Sequence, residues 1–375
     1  MATEALRTSD TMGARSAREP VAGEFVQMFA VSVLLRIAVF LTMTVVLKMS
    51  VRDFAEWADG KSYLWMAQSF AGSPPPYLRE YDHRVFPGFS MILAPFFLIG
   101  LPLQWVGLAI SWISSGLAAV WAAKVFDDRR IGWGMAVLTP QYVMNGSMVM
   151  TESLMMALTL GGLLLARNKR HVLGGVVAGV GGLVRPMVCF SVLGQMALDA
   201  RAGRWRKALT YGVSAAVMLG VALAFLQWRT GDALQGPRVY ATHKWAYGGQ
   251  MFDWPMHSLL FTARNEDIPL EKLAYILLHL PIVFFACGRI VSQYLHDKGK
   301  SDPFFALNAP WLLGNTLFVV CVGSHWALLQ FARFILVALP PTLYVFRSWL
   351  PKRPAGWLIW AIVSYFLAVI TFVNI

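Results

Sequence analysis

Apolar runs of membrane-crossing length alternate along the chain with short polar or basic breaks. The first run, about 25–48, is broken only by Arg36 until Lys48. It is longer than a signal-peptide core, so it predicts an uncleaved first helix. A polar stretch from Met49 to Arg84 follows, then apolar segments at about 86–101 and 103–126, separated by Gly100-Leu101-Pro102. Segment 86–101 is short and proline-rich, which predicts a helix lying at the membrane interface rather than a span. Runs at 131–144, 149–166, 172–184, 187–200, 208–227, 273–290, 303–321, 331–346 and 355–374 complete the pattern. The expected fold is an all-α polytopic membrane protein with about eleven transmembrane helices (9–12).

The basic residues fix an orientation. Arg7, Arg15 and Arg18 precede the first run; Arg129-Arg130, Arg167 to His171, Arg201 to Lys207, and Arg347 with Lys352 and Arg353 follow later ones. Threading eleven spans puts all these clusters on one side, which the positive-inside rule makes cytoplasmic, and both long polar loops on the other. If 86–101 spanned, 201–207 would move outside, against that rule. The expected organisation is a cytoplasmic tail, 1–24, and one transmembrane unit, 25–375. That unit includes a first extracytoplasmic loop, 49–102, with interfacial helices, and a second, 228–270.

Composition agrees: 57% of residues are hydrophobic and 14% charged, against about a quarter charged in soluble domains. The formal charge of +12 is held in loop clusters, so the expected anionic partners are membrane lipids or phosphate and not nucleic acid. Cys189, Cys287 and Cys321 are far apart and have no metal-ligand spacing with histidine, so neither a disulfide framework nor a zinc site is indicated, and no cofactor is expected.

Candidate chemistry gathers in the long loops and at span ends. Loop 49–84 carries Asp53, Glu56, Asp59, Glu80 and Asp82, and closes with His83-Arg84. Within Glu56-Trp57-Ala58-Asp59-Gly60-Lys61-Ser62-Tyr63, the spacing of Asp59, Tyr63 and Ala67 puts them on one helix face. The aromatic content suits a helix resting at headgroup level. A solvated loop explains most of these acids equally well, and ordinary positive flanking explains His83-Arg84. Glu152 opens the 149–166 run, where a helix N-terminus favours an acid. Arg185 precedes Pro186 at a span end, where snorkelling is the alternative to ligand binding. Arg333 lies inside an apolar run, where an unpaired charge is expensive; Arg36 is similar and nearer mid-membrane. His243 and Trp245 stand in an aromatic loop suited to a sugar ring or to the interface itself.

These residues resemble the GT-C superfamily of membrane glycosyltransferases. The similarity rests on Asp59-x-x-x-Tyr63-x-x-x-Ala67, Phe86-Pro87-Gly88-Phe89, Thr151-Glu152-Ser153-Leu154, Leu183-Val184-Arg185-Pro186, and Ala332-Arg333-Phe334 through Pro340. Within it, Gly231-Asp232-Ala233-Leu234 and the Trp245 and Trp254-Pro255 region are similar to PIG-V-like mannosyltransferases. Ala58 is an insertion between the Trp and Asp that such chains place side by side. The resemblance implies inverting transfer of a sugar, mannose foremost, from a polyprenyl-phosphate donor to a lipid, glycan or protein acceptor. The site would face outward from a bacterial plasma membrane. It implies Asp59 as general base, with Asp53 and Glu56 as rivals, and Arg333, Arg185 and Arg84 on phosphate. Glu152 would orient donor or acceptor, and Tyr63, His83, His243 and Trp245 would contact substrate. A partner subunit is compatible with it. The competing expectation is a polyprenyl-phosphate or lipid transporter, and a third is a non-catalytic membrane scaffold.

Overall fold

The computed structural model describes residues 22–76, 78, 83, 85–242, 254–257, 270–321 and 331–373. It is all-helical, 80% helix, with no strand among the described residues. Helix α1 (Ala22–Leu41) runs into a π-helical turn at Thr42–Val46. Three shorter helices follow: α2 (Val51–Ala55), α3 (Gly60–Phe70) and α4 (Gly88–Leu98). Then come α5 (Leu103–Phe126), α6 (Arg129–Val137), α7 (Pro140–Ser147), α8 (Thr151–Arg167) and α9 (His171–Val184). The remainder is α10 (Cys189–Arg201), α11 (Trp205–Thr230), α12 (Gln235–Thr242), α13 (Leu270–Asp297), α14 (Phe305–Val320), α15 (Phe331–Ile335), α16 (Leu339–Val345) and α17 (Pro354–Val373).

Four helices are long and apolar enough to cross a membrane: Ala22–Val46, α5, α11 and α17. The α7–α8 pair makes a fifth if counted as one span, although it bends by 105° at its junction. Their outward faces suit lipid. On α11, Leu209, Val213, Val217 and Val221 recur every four residues and are all exposed; on α17, Leu358, Ile362, Phe366 and Ile370 do the same. The sequence pattern predicts about eleven spans, and each of those segments is helical in part, but several are short or broken. Pro140 and Pro186 lack the N–H that would continue a preceding helix, so each starts a new one. A 3-10 turn at Leu336–Ala338 divides the 331–346 segment.

Segment 86–101 yields only the 11 residues of α4, about 16 Å of helix at 1.5 Å per residue, too short to cross a bilayer. The aromatic stretch of α3, expected at headgroup level, packs against protein. Tyr63, Leu64, Trp65, Met66 and Ala67 are buried within the protein, and the Ser90 hydroxyl of α4 donates to the Tyr63 carbonyl at 2.9 Å. The aromatic content there serves packing. Helices α8 and α9 form an antiparallel hairpin, with α5 against α8 and α11 against α9. Gly175 and Gly179 let α9 meet α11 backbone to backbone. A Cβ at either would lie 2.3 Å from the Tyr211 carbonyl oxygen or 2.7 Å from that of Ala215.

Candidate functional site

The bend between α7 and α8 creates the site's first two residues. Met148 and Met150 are extended, so α8 begins abruptly and places Thr151 and Glu152 in its first turn. The unsatisfied N–H groups of that turn favour a carboxylate. Arg185 is the C-cap of α9. Pro186 disfavours helical geometry for the residue before it, and Arg185 accordingly has φ −154° and ψ 123°. Antiparallel pairing of α8 and α9 brings these two ends together. Arg185 Nη2 donates to Glu152 Oε1 at 2.7 Å, and Arg185 Nε donates to Thr151 Oγ1 at 2.9 Å.

Two distant segments complete the cluster. Arg333, on α15, donates from Nε to the same Glu152 Oε1 and from Nη1 to Asp59 Oδ2, the latter at 2.7 Å. Asp59 immediately precedes α3, and one turn on, the Tyr63 hydroxyl lies 3.4 Å from Thr151 Oγ1. Residues 59, 152, 185 and 333 thus form one chain of charge-assisted hydrogen bonds, with two carboxylates balancing two guanidinium groups.

Close backbone approach holds α3 and α4 against this cluster. A Cβ at Gly60 would sit 2.2 Å from the Ala55 carbonyl oxygen and 3.1 Å from that of Val149; one at Gly88 would sit 2.6 Å from the Leu183 carbonyl carbon. Neither contact can be relieved by a side-chain rotation. Ala58 adopts φ 51°, a left-handed conformation uncommon for a residue with a side chain. It directly precedes Asp59, the residue that accepts from Arg333.

Burial separates the two carboxylates. The Glu152 side chain is 1% exposed and that of Asp59 21%. Glu152 is therefore the internal strut between two arginines, and Asp59 is the more open of the two carboxylates. Glu152 Oε2 and Arg333 Nη2 are buried and make no hydrogen bond in the structure. Burial pushes the Tyr63 phenol above its ordinary range, Arg185 offsets part of that, and the Asp59 charge adds to it.

The other candidates are placed differently. Asp53 is tied to the N-cap of its helix: Ser50 Oγ donates to Asp53 Oδ2 at 2.6 Å and accepts from the Asp53 N–H at 3.0 Å. Glu56 accepts from Arg52 Nε at 2.8 Å on the same short helix. Both carboxylates serve α2 locally and are not joined to the four-residue network. His83 is half-buried ahead of α4. Arg84, His243 and Trp245 lie outside the described residues. Arg36 is buried without a carboxylate partner among the described residues. Its Nη1 donates to the Ser32 and Ala136 carbonyls at 2.9 Å, and its guanidinium lies 5.1 Å from the centre of the Tyr142 ring.

Thr151 is the member that sequence reasoning does not single out, although it sits directly before Glu152 at the helix start. Among the described residues no group of three or more His, Cys, Asp or Glu side chains is placed to hold a metal ion. Chemically, the cluster offers two adjacent guanidinium groups of the kind that bind phosphate, with a partly open carboxylate beside them. No family model matches the chain, and no curated protein matches it significantly.

Proposed function

We propose that the chain is an inverting glycosyltransferase of the GT-C type. It moves a sugar, mannose foremost, from a polyprenyl-phosphate donor to a lipid, glycan or protein hydroxyl. In this reading about eleven segments cross a bacterial plasma membrane, the shorter and broken helices included, and the site faces outward. The observation that carries it is the convergence of Asp59, Glu152, Arg185 and Arg333 from four separate segments into one hydrogen-bonded network. A scaffold has no use for two buried arginines beside a partly open acid. Such charges are costly in a membrane protein and are found where they bind or react.

The chemistry assigns each group a task. Asp59 accepts the proton of the acceptor hydroxyl as its oxygen attacks the anomeric carbon. The bond from that carbon to the phosphate oxygen breaks from the opposite face, so configuration inverts and polyprenyl phosphate departs with the electron pair. Arg333 and Arg185 stabilise the charge that develops on the leaving phosphate. Glu152 keeps the two guanidinium groups side by side against their mutual repulsion, and Tyr63 with Thr151 braces the floor.

Reconstitution in liposomes with polyprenyl-phosphate mannose, radiolabelled in the sugar, tests this reading. Transfer predicts label in a new product and release of unlabelled polyprenyl phosphate. Movement of the intact donor between leaflets, with no sugar released, would make the protein a transporter instead.

A further inference from the structure

One cavity of this protein lies away from the acid–arginine network. It lies at the other end of the α8–α9 hairpin, with a volume of about 300 Å³. Arg167, its neighbour there, is 15 residues from Glu152 on the same helix, about 22 Å along the axis. The inner wall is apolar, built from Val125, Leu163, Leu198, Phe304 and Leu307. The polar wall carries Arg167, Lys169, Arg204 and Lys207, with His171 and one carboxylate, Asp199.

That carboxylate is already matched. Asp199 is 1% exposed, accepts from Gln195 Nε2 and Arg204 Nε at 2.8 Å each, and lies 3.3 Å from His171 Nε2. It fixes Arg204 and His171 at the cavity wall and leaves little negative charge to repel an anion. Arg167 is partly matched by Asp127 and by the Lys124 and Val125 carbonyls. Lys169 and Lys207 are exposed, line the cavity, and form no ion pair among the described residues. The cavity also adjoins the first residues of α9 and α11, neither of which has a side-chain cap. Two uncapped helix N-termini add positive potential to the two unmatched ammonium groups.

We infer that this cavity is a second site, binding a phosphate-bearing anion through Lys169, Lys207 and Arg204. An amphiphile fits both walls: phosphate against the cations, and the first methylenes of its chain against Leu163, Leu198 and Leu307. Inorganic phosphate shares the chemistry of the head but leaves the apolar wall unused. The site is separate from the acid–arginine network and does not depend on the function proposed for it.

The test measures thermal unfolding of the full chain in neutral detergent during titration with short-chain phosphatidylglycerol, short-chain phosphatidylcholine or inorganic phosphate. Three proteins are compared: the wild type, Lys169→Gln/Lys207→Gln, and the control Lys352→Gln/Arg353→Gln, which removes equally exposed basic residues elsewhere. Saturable stabilisation of wild type and control by phosphatidylglycerol, with apparent affinity roughly thirtyfold weaker in the lysine double variant, is expected for two basic contacts to an anionic lipid. The same pattern with inorganic phosphate at equal concentration would assign the site to a soluble phosphate. Equal stabilisation of all three proteins, or stabilisation by phosphatidylcholine as well, would show diffuse charge or chain solvation and overturn the inference. So would the absence of any shift. Because both lysines are exposed, the double variant should unfold at the wild-type temperature when no anion is present.

Discussion

Removing Glu152 should damage this protein more than removing Arg185 or Asp59. Its Oε1 atom accepts from both Arg185 and Arg333, and its side chain is 1% exposed. Glu152→Gln keeps the shape but leaves two buried guanidinium groups side by side, with only Asp59 to balance them. Loss of one partner from a buried ion pair costs about 3–5 kcal/mol, and two charge-assisted hydrogen bonds at about 1.5–3 kcal/mol each give a similar figure. Arg185→Gln leaves Glu152 still paired with Arg333, and Asp59→Asn touches one bond of a carboxylate that is 21% exposed, so about 1–2 kcal/mol is expected for each. The assay is equilibrium unfolding in detergent micelles, run as a double-mutant cycle on Glu152→Gln and Arg185→Gln. The double variant should be more stable than the sum of the single losses implies, by a coupling of about 1–3 kcal/mol. Additive losses, or a Glu152→Gln cost no larger than that of Asp59→Asn, would mean that Glu152 is not the strut of this cluster.

Four further outcomes can be measured. Gly60→Ala forces a Cβ against the Ala55 carbonyl and should cost about 1–3 kcal/mol, whereas Gly182→Ala, which meets nothing within 4 Å, should be neutral or stabilising in the same unfolding assay. Ala58→Gly relieves a left-handed residue and should stabilise by up to about 1 kcal/mol; a loss would mean the Ala58 side chain makes a contact that matters more than its backbone. Arg36→Met removes a buried charge whose Nε and Nη2 have no hydrogen-bond partner, and should leave stability unchanged or raise it by about 1–4 kcal/mol; a large loss would point to a bound counter-ion. In a background lacking the native cysteines, Ala202→Cys should be labelled by an impermeant reagent only from the cytoplasm and Ser73→Cys only from outside. Labelling of both from one side would discard the threading of spans.

Much of the site was legible in the sequence because charge is rare in apolar runs. Glu152, Arg185 and Arg333 stand out against their neighbours, and Pro186 already marks where α9 must end. Apolar periodicity does not say which acid of the first loop enters the core. Asp53 and Glu56 flank the same aromatic stretch as Asp59, and they are separated from it by local hydrogen bonds with Ser50 and Arg52 that cost the sequence no special pattern. Whether an apolar run forms one unbroken helix is hidden for a related reason. Hydropathy measures how apolar a run is, not whether Pro140 or a 3-10 turn will break it. The cavity at the far end of α8 was invisible as a cavity, although its basic residues appear in the sequence as ordinary loop clusters. What joins them is the folding of α8, α9, α10 and α11 around the buried Asp199.

The most direct measurement is the rate of mannosyl transfer by wild type and Asp59→Asn in matched lipid nanodiscs, with folding of both checked by unfolding temperature. Asp59→Asn keeps the size of the side chain but removes the base. The expected result is a fall in kcat of at least about 100-fold, the usual contribution of a general base, in a protein that remains folded. Transfer by Asp59→Asn at the wild-type rate would contradict the assignment of this carboxylate to the reaction, and with it the reading of the network as a catalytic site.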